Sequence, residues 1–395
     1  MRFTQHCSIV TLALCAAFTG CSGSSASDTT GSTSSTSSTS STNSTGSTNP
    51  TGSTSGTGGT TDCSTAGGTS LALTVCAANN LLATLTDAQK KTVNLAFTDT
   101  KSRTSWSNLP TGMVARAGAK MEDLSTASQA AAIALMNTVL SAAGQSDLNG
   151  VRAADSYLGT MQQGYGAGLY YIAIFGTPST TGDWAIAFGG HHMAYNITYA
   201  AGVPYVTPNH LGVEPKAEFT LDGATYAPLI DEGAALIAMF NSLSTTDLAS
   251  AYLAGQTFMD VLIGPVEYQT GSLSAVTAKY PTGSNRTGVL VSKLTADQQA
   301  LVTAAINAWV KDFIGDISDK IVADYTSAAA YGDTYIAFGG PNATSVDVDT
   351  SGTYMRIDGP RVWIEVACQG GIVIKGKTHY HTIYRDKQFD YSGKL

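Results

Sequence analysis

The sequence predicts an α+β fold in which two helix-helix-strand-strand halves surround a mostly antiparallel sheet. Three observations predict it. Hydroxyl and Gln residues spaced as helix N-caps recur before Ala- or Leu-rich runs. Short β-branched and aromatic runs are separated by Gly, Pro and Thr turns. The pattern of helices and strands also repeats once along the chain, about 170 residues apart.

Thr86-Asp87-Ala88-Gln89, Thr126-Ala127-Ser128-Gln129 and Thr295-Ala296-Asp297-Gln298 each fit a capping box, and Ser244 to Asp247 is a weaker fourth. In such a box the hydroxyl and the Gln side chain satisfy amides that the first helical turn leaves free. Helical patterns follow over Ala130 to Ala143 and Ala300 to Ile314. Tyr170 to Gly176 and Asp183 to Gly190 read as an antiparallel pair across a Thr-Pro-Ser-Thr-Thr-Gly turn. Further strands are expected at Met193 to Tyr199, Tyr354 to Ile357, Val362 to Ala367 and Gly371 to Lys375. The capped helix near Leu124 recurs near Leu294 (294 − 124 = 170), and Tyr171-Ile172-Ala173 recurs at Tyr335-Ile336-Ala337 (335 − 171 = 164). The halves span about 81–215 and 290–391 of one globular domain, 63–395, and an offset of 171 aligns His210 with His381.

The N-terminus carries Arg2, an apolar run from Ile9 to Phe18, and then Thr19-Gly20-Cys21. That order reads as a lipoprotein signal peptide, 1–20, cleaved before a lipidated Cys21. Residues 21–62 are almost wholly Ser, Thr and Gly, too polar to bury a core, and read as a disordered tether. The expected location is therefore the bacterial cell envelope, outside the cytoplasm, with the membrane as a partner through the N-terminal lipid. A charged fraction of 13% suits export, and a net charge of −8 without a basic run argues against nucleic acid. In an oxidising compartment Cys63 and Cys76 are expected to form a disulfide, which leaves Cys368 as a buried, strand-borne hydrophobe.

Six histidines occur in 395 residues, and four of them form two tight pairs, His191-His192 and His379-x-His381. Residues two apart on a strand share a face, so His379 and His381 project together. Gly189-Gly190 allows a bend that brings one or both of His191 and His192 to them, and the set then suits a divalent metal, zinc or copper. Glu214, Glu232 and Asp386 are carboxylates able to complete or orient such a site, with Glu214 or Asp386 as proton acceptor and Arg385 beside it. Arg361 and Arg103 are candidates for binding an anionic substrate. With zinc the chemistry expected is hydrolysis, and with copper it is oxidation. The reading from another class is a surface-tethered binding module whose aromatic face, drawn from 18 Tyr and four Trp, holds an envelope polymer or small ligand. No nucleophile elbow, phosphate loop, His-Glu-x-x-His helix or haem motif is present in the sequence.

Arg103-x-x-Trp106 with Pro110, Asp123-Leu124-Ser125, Gly189-Gly190-His191-His192, Thr207-Pro208 with Gly212-x-Glu214-Pro215, Gly359-Pro360 with Ile364-Glu365, and His379-x-His381-Thr382-x-x-Arg385-Asp386 occur in this order. Together they resemble the bacterial domain-of-unknown-function family 3500 over roughly Leu81 to Tyr391. The resemblance implies an exported protein and names no reaction. His210 stands where that family would lead one to expect an apolar residue, and the chain ends soon after Asp390-Tyr391-Ser392-Gly393, sooner than is usual there.

Overall fold

A computed structural model describes residues 61–63 and 68–395. The expected signal peptide, the lipidation site Cys21 and nearly all of the tether lie outside the described residues. Among those described, no helix is long and apolar enough to cross a membrane.

The principal helices are α1 (Ser70–Thr84), α2 (Asp87–Val93), α3 (Thr126–Asn137), α4 (Ala142–Gly159), α5 (Ile230–Asn241), α6 (Ala296–Val310) and α7 (Gly315–Thr326). The principal strands are β1 (Tyr171–Phe175), β2 (Trp184–Gly190), β3 (Met193–Ala200), β4 (Asn209–Val213), β5 (Tyr335–Gly339), β6 (Tyr354–Asp358), β7 (Val362–Gly370) and β8 (Thr378–Asp386). They lie in one twelve-stranded sheet in the order β1-β2-β3-β4-β8-β7-β6-β5, completed by short strands at and beside its ends. All eight principal strands pair antiparallel, and only Asn94–Leu95 joins β1 in parallel. The fold is thus α+β with a mostly antiparallel sheet.

The two halves meet at β4 and β8. Leu211 pairs with Thr382 there, 382 − 211 = 171 positions on, so residues equivalent under the sequence offset face each other directly. A second contact repeats the relation between helices. Ser141 N donates to Asp312 O at 2.8 Å, and Ile314 N donates to Val139 O at 3.1 Å, which is the same bond with the halves exchanged. Gly118 and Gly288 also correspond, both at positive φ. A Cβ on either would lie within 2.4 Å of the carbonyl oxygen of Ile172 or of Ile336 respectively, so only glycine fits.

Local chemistry explains most boundaries. Thr86 and Thr295 each close a capping box with Gln89 and Gln298, and Ser244 caps its helix through Asp247 N. The third box is displaced by one residue. Ser125 is the N-cap of α3 and accepts from Ser128 N, while Gln129 turns back to Leu124 O. The Ala130 to Ala143 pattern is broken after Asn137, because Ser141 starts α4 with its own cap. Gly371 to Lys375 is not a strand. It forms the turn between β7 and β8, where Gly371 N and Lys377 O close the loop.

The helices cover one face of the sheet, which carries Tyr195, Tyr199, Tyr380 and Tyr384 in the larger core. The other face carries Ala194, Ala367 and Ile383, packed under Trp106, Phe258 and Ile263 from long connecting segments. The Cys63–Cys76 disulfide forms, with a Cα–Cα distance of 5.7 Å.

Candidate metal centre

Strand alternation puts His379, His381, Ile383 and Arg385 on one face of β8. Thr382 faces the helices, where its hydroxyl accepts from Trp309 Nε1 at 3.2 Å. His191 and His192 form the two-residue turn between β2 and β3, because Gly190 and Met193 are already a strand pair. They therefore form the turn that directly follows the end of β2 at Gly190. His192 has φ +62°, the left-handed region that a side chain seldom occupies. Its carbonyl accepts from Gly212 N at 2.7 Å, which fixes the turn against β4. Gly212 leaves the needed space, since a Cβ there would lie 3.2 Å from Cδ2 of both His192 and His381.

One ring nitrogen each from His192, His379 and His381 all lie within 4.8 Å of one another, and all three residues are buried. These residues form a group that could hold a metal ion. His379 Nε2 and His381 Nε2 are 3.0 Å apart. Behind them, His379 Nδ1 lies 3.4 Å from Gly370 O, and His381 Nδ1 lies 2.8 Å from Asp260 Oδ1. An acceptor at Nδ1 favours the proton there, the tautomer in which Nε2 carries the lone pair that a metal ion uses. At that separation the two nitrogens can share a cation, or one neutral ring can donate its N–H to the other. Protonation is opposed. Burial first, then the neighbouring imidazoles, push His192 well below the usual histidine range, and His379 is pushed down to about 3 by burial and then His381. The donor set and the spacing are those of a group that could hold a metal ion.

Around the three rings sit residues without a recognisable sequence signal. Asp260 orients His381 from a long connecting segment. Burial pushes its carboxyl up, but hydrogen bonding from the His381 ring and from Val261 N outweighs that and leaves it at about 2. Asn108 Nδ2 lies 3.2 Å from Asp260 Oδ2, and Asn108 and Gln369 amides both lie 3.1 Å from His381 Nδ1. Asp155 of α4 lies 2.6 Å from His191 Nδ1. His191 therefore stands apart from the three-ring group, stacked on His192 with ring centroids 3.6 Å apart. Tyr165 meets His191 edge-on at 5.0 Å and also lines a cleft of about 480 Å³ with Pro110, Met113 and Gln163. His210 is fully buried 5.5 Å from the His381 ring, with no hydrogen-bond partner for either nitrogen.

Other expected site residues are placed elsewhere. Glu214 is buried, and its Oε1 accepts from Val373 N and Ile374 N at 2.7 Å each, so it shapes the β7–β8 turn. Arg385 lies four residues beyond His381, about 13 Å along a strand. It is buried between Glu267, Asp390 and the carbonyls of Ile263 and Gly264. Asp386 points to the helix face, where it binds Arg361 and Tyr325 in a separate cleft of about 250 Å³. Arg361 belongs to that cleft too, and Asp324 and Asp386 already neutralise it. Arg103 is buried and ties Phe97 O to Lys394 O, away from the histidines. Cys368 is buried, and burial pushes its thiol up to about 12, which suits a core residue. Glu232 joins a different cluster, described below.

A family model described as "Protein of unknown function (DUF3500)" matches residues 68–393. No curated protein and no solved structure matches the chain.

Proposed function

The chain belongs to the DUF3500 family, and we propose that it is an exported, lipid-anchored protein with a zinc or copper centre at His192, His379 and His381, acting as a metal-dependent hydrolase. The observation that carries this reading is the pair of Nε2 atoms 3.0 Å apart, each with an acceptor at its Nδ1 and a third imidazole within ligand distance. Three histidines leave a tetrahedral ion one position for water or substrate. Bound there, the ion would supply Lewis-acid polarisation of an oxygen and a more acidic water.

His191 is the proton acceptor in this reading. Asp155 holds the proton on Nδ1, which leaves Nε2 basic, and the ring lies against His192. The rim indicates the substrate class. Met113 lines the cleft that Tyr165 opens on, and Leu109, Met161, Met259 and Leu262 are exposed on the connecting segments that carry Asn108, Tyr165 and Asp260, with Ile372 exposed on the turn after β7. A substrate with an apolar portion matches such a rim. The binding-module reading needs histidines with complete hydrogen bonding, and partnerless His210 weighs against it.

The test is turnover of acyl-ester, phosphoester and amide substrates with apolar groups by the zinc-loaded protein. His191→Ala and Asp155→Asn are expected to lower kcat about 10²- to 10⁴-fold with zinc content unchanged. Turnover unaffected by both variants, or none with a full complement of zinc, would contradict the hydrolase assignment.

A further inference from the structure

Asp147 of α4, Glu232 of α5 and Asp312 between α6 and α7 converge at a place separate from the histidines. One carboxylate oxygen from each lies within 4.8 Å of the others, and all three residues are buried. Asp147 Oδ1 accepts from Leu229 N at 3.1 Å, but Glu232 Oε2 and Asp312 Oδ2 are buried without a hydrogen-bond partner. The Tyr195 hydroxyl, fully buried on the helix-covered face of the sheet, also lacks a partner. Its ring meets Phe313 edge-on at 6.1 Å, beside Asp312, and burial followed by the charges of Asp312, Asp147 and Glu232 pushes its pKa well above the usual phenol range. Asn307 Oδ1 is a further partnerless oxygen in the wall of the adjoining cavity, which is about 350 Å³. Lys311 lines the same cavity, but its ammonium is paired with Asp319.

We propose that Asp147, Glu232 and Asp312 bind a hard, oxygen-preferring divalent cation of the calcium class, which fastens the two halves of the fold together. The donors are oxygens only, which selects against zinc and copper in favour of calcium. Three oxygens that all lie within 4.8 Å of one another can reach a single calcium ion at bond lengths near about 2.4 Å. The cavity gives room for the waters that complete its coordination. The place matters as much as the donors. Asp147 comes from the first half, Asp312 from the second, and Asp312 O already takes the Ser141 amide at the seam where the halves exchange equivalent bonds. Without a cation, buried carboxylates face one another there, and burial followed by their mutual charge pushes Glu232 and Asp312 well above the usual range.

The experiment uses the whole mature chain, stripped with EDTA and titrated with Ca²⁺, and separately with Mn²⁺ followed by electron paramagnetic resonance. The expected result is one Ca²⁺ per chain with Kd on the order of 10⁻⁴ to 10⁻³ M. Melting temperature should rise by about 2–4 °C in excess Ca²⁺. Asp312→Asn and Glu232→Gln should each abolish uptake and shift, while His379→Ala/His381→Ala keeps both. Cation-free Asp312→Asn should melt no lower than the cation-free wild type, because the amide replaces a carboxyl that burial already disfavours as an anion, which separates lost binding from failed folding. Absence of Ca²⁺ and Mn²⁺ uptake by the wild type at about 10 mM, well above that range, would overturn the proposal in favour of carboxyls sharing a proton. Uptake undiminished in both carboxylate variants would overturn it equally.

Discussion

His381 has both ring nitrogens engaged, Nε2 toward His379 and Nδ1 toward Asp260, and its Cδ2 edge passes over the bare Gly212 backbone. The carboxylate acts on a metal only through the ring that it orients. Asp260→Asn should therefore lower zinc affinity about 10- to 100-fold, measured by competition with a chromogenic chelator, with the chain still folded. Gly212→Ala should weaken binding as well, since the added Cβ would lie 2.7 Å from Tyr380 O besides crowding both rings. Unchanged affinity in both would mean that the ring positions are not set for a ligand. At this scale the sequence was informative where spacing carries geometry. His379-x-His381 on a strand requires a shared face, and the rarity of histidine marked the second pair. Asp260 and Asp155 carry no such pattern. They lie 121 and 36 residues from the rings that they orient, and single carboxylates in connecting segments look alike until the chain is folded.

At the scale of elements, the segment that carries Asp260 is held to β8 by Arg385. The guanidinium is fully buried, donates from Nη2 to both Glu267 carboxylate oxygens at 2.9 Å, binds Asp390 at 2.7 Å and also donates to two carbonyls. Breaking one partner of such a buried network leaves charge without compensation. Arg385→Ala should cost about 3–5 kcal/mol in urea unfolding, and the loosened Asp260 segment should lower metal affinity too. A loss below about 1 kcal/mol, the range of exposed ion pairs, would contradict this role. The Arg385-Asp386 pair shows why adjacency misleads on a strand: the two side chains leave on opposite faces and serve two separate sites. The N-caps were legible because their chemistry is local, and Ser125 displaced Thr126 only because both residues offer a hydroxyl. The His191-His192 turn was harder to read. A turn residue at positive φ is usually Gly or Asn, so His192 gives no turn signal.

At the scale of the whole molecule, the repeat was visible because helix caps and strand triplets recur at nearly constant offsets. The offset of 171 is realised as direct pairing of Leu211 with Thr382 at the centre of the sheet. What the repeat could not reveal is that its seam gathers Asp147 and Asp312, or that the 241–292 connection reaches across to the histidines, since both depend on long-range packing. The central claim is that the histidine group is a metal centre. Its most direct test is metal analysis of protein purified without a His-tag, wild type beside His379→Ala/His381→Ala. The account predicts close to one zinc or copper per wild-type chain and almost none in the variant, whereas substoichiometric metal in both would contradict it.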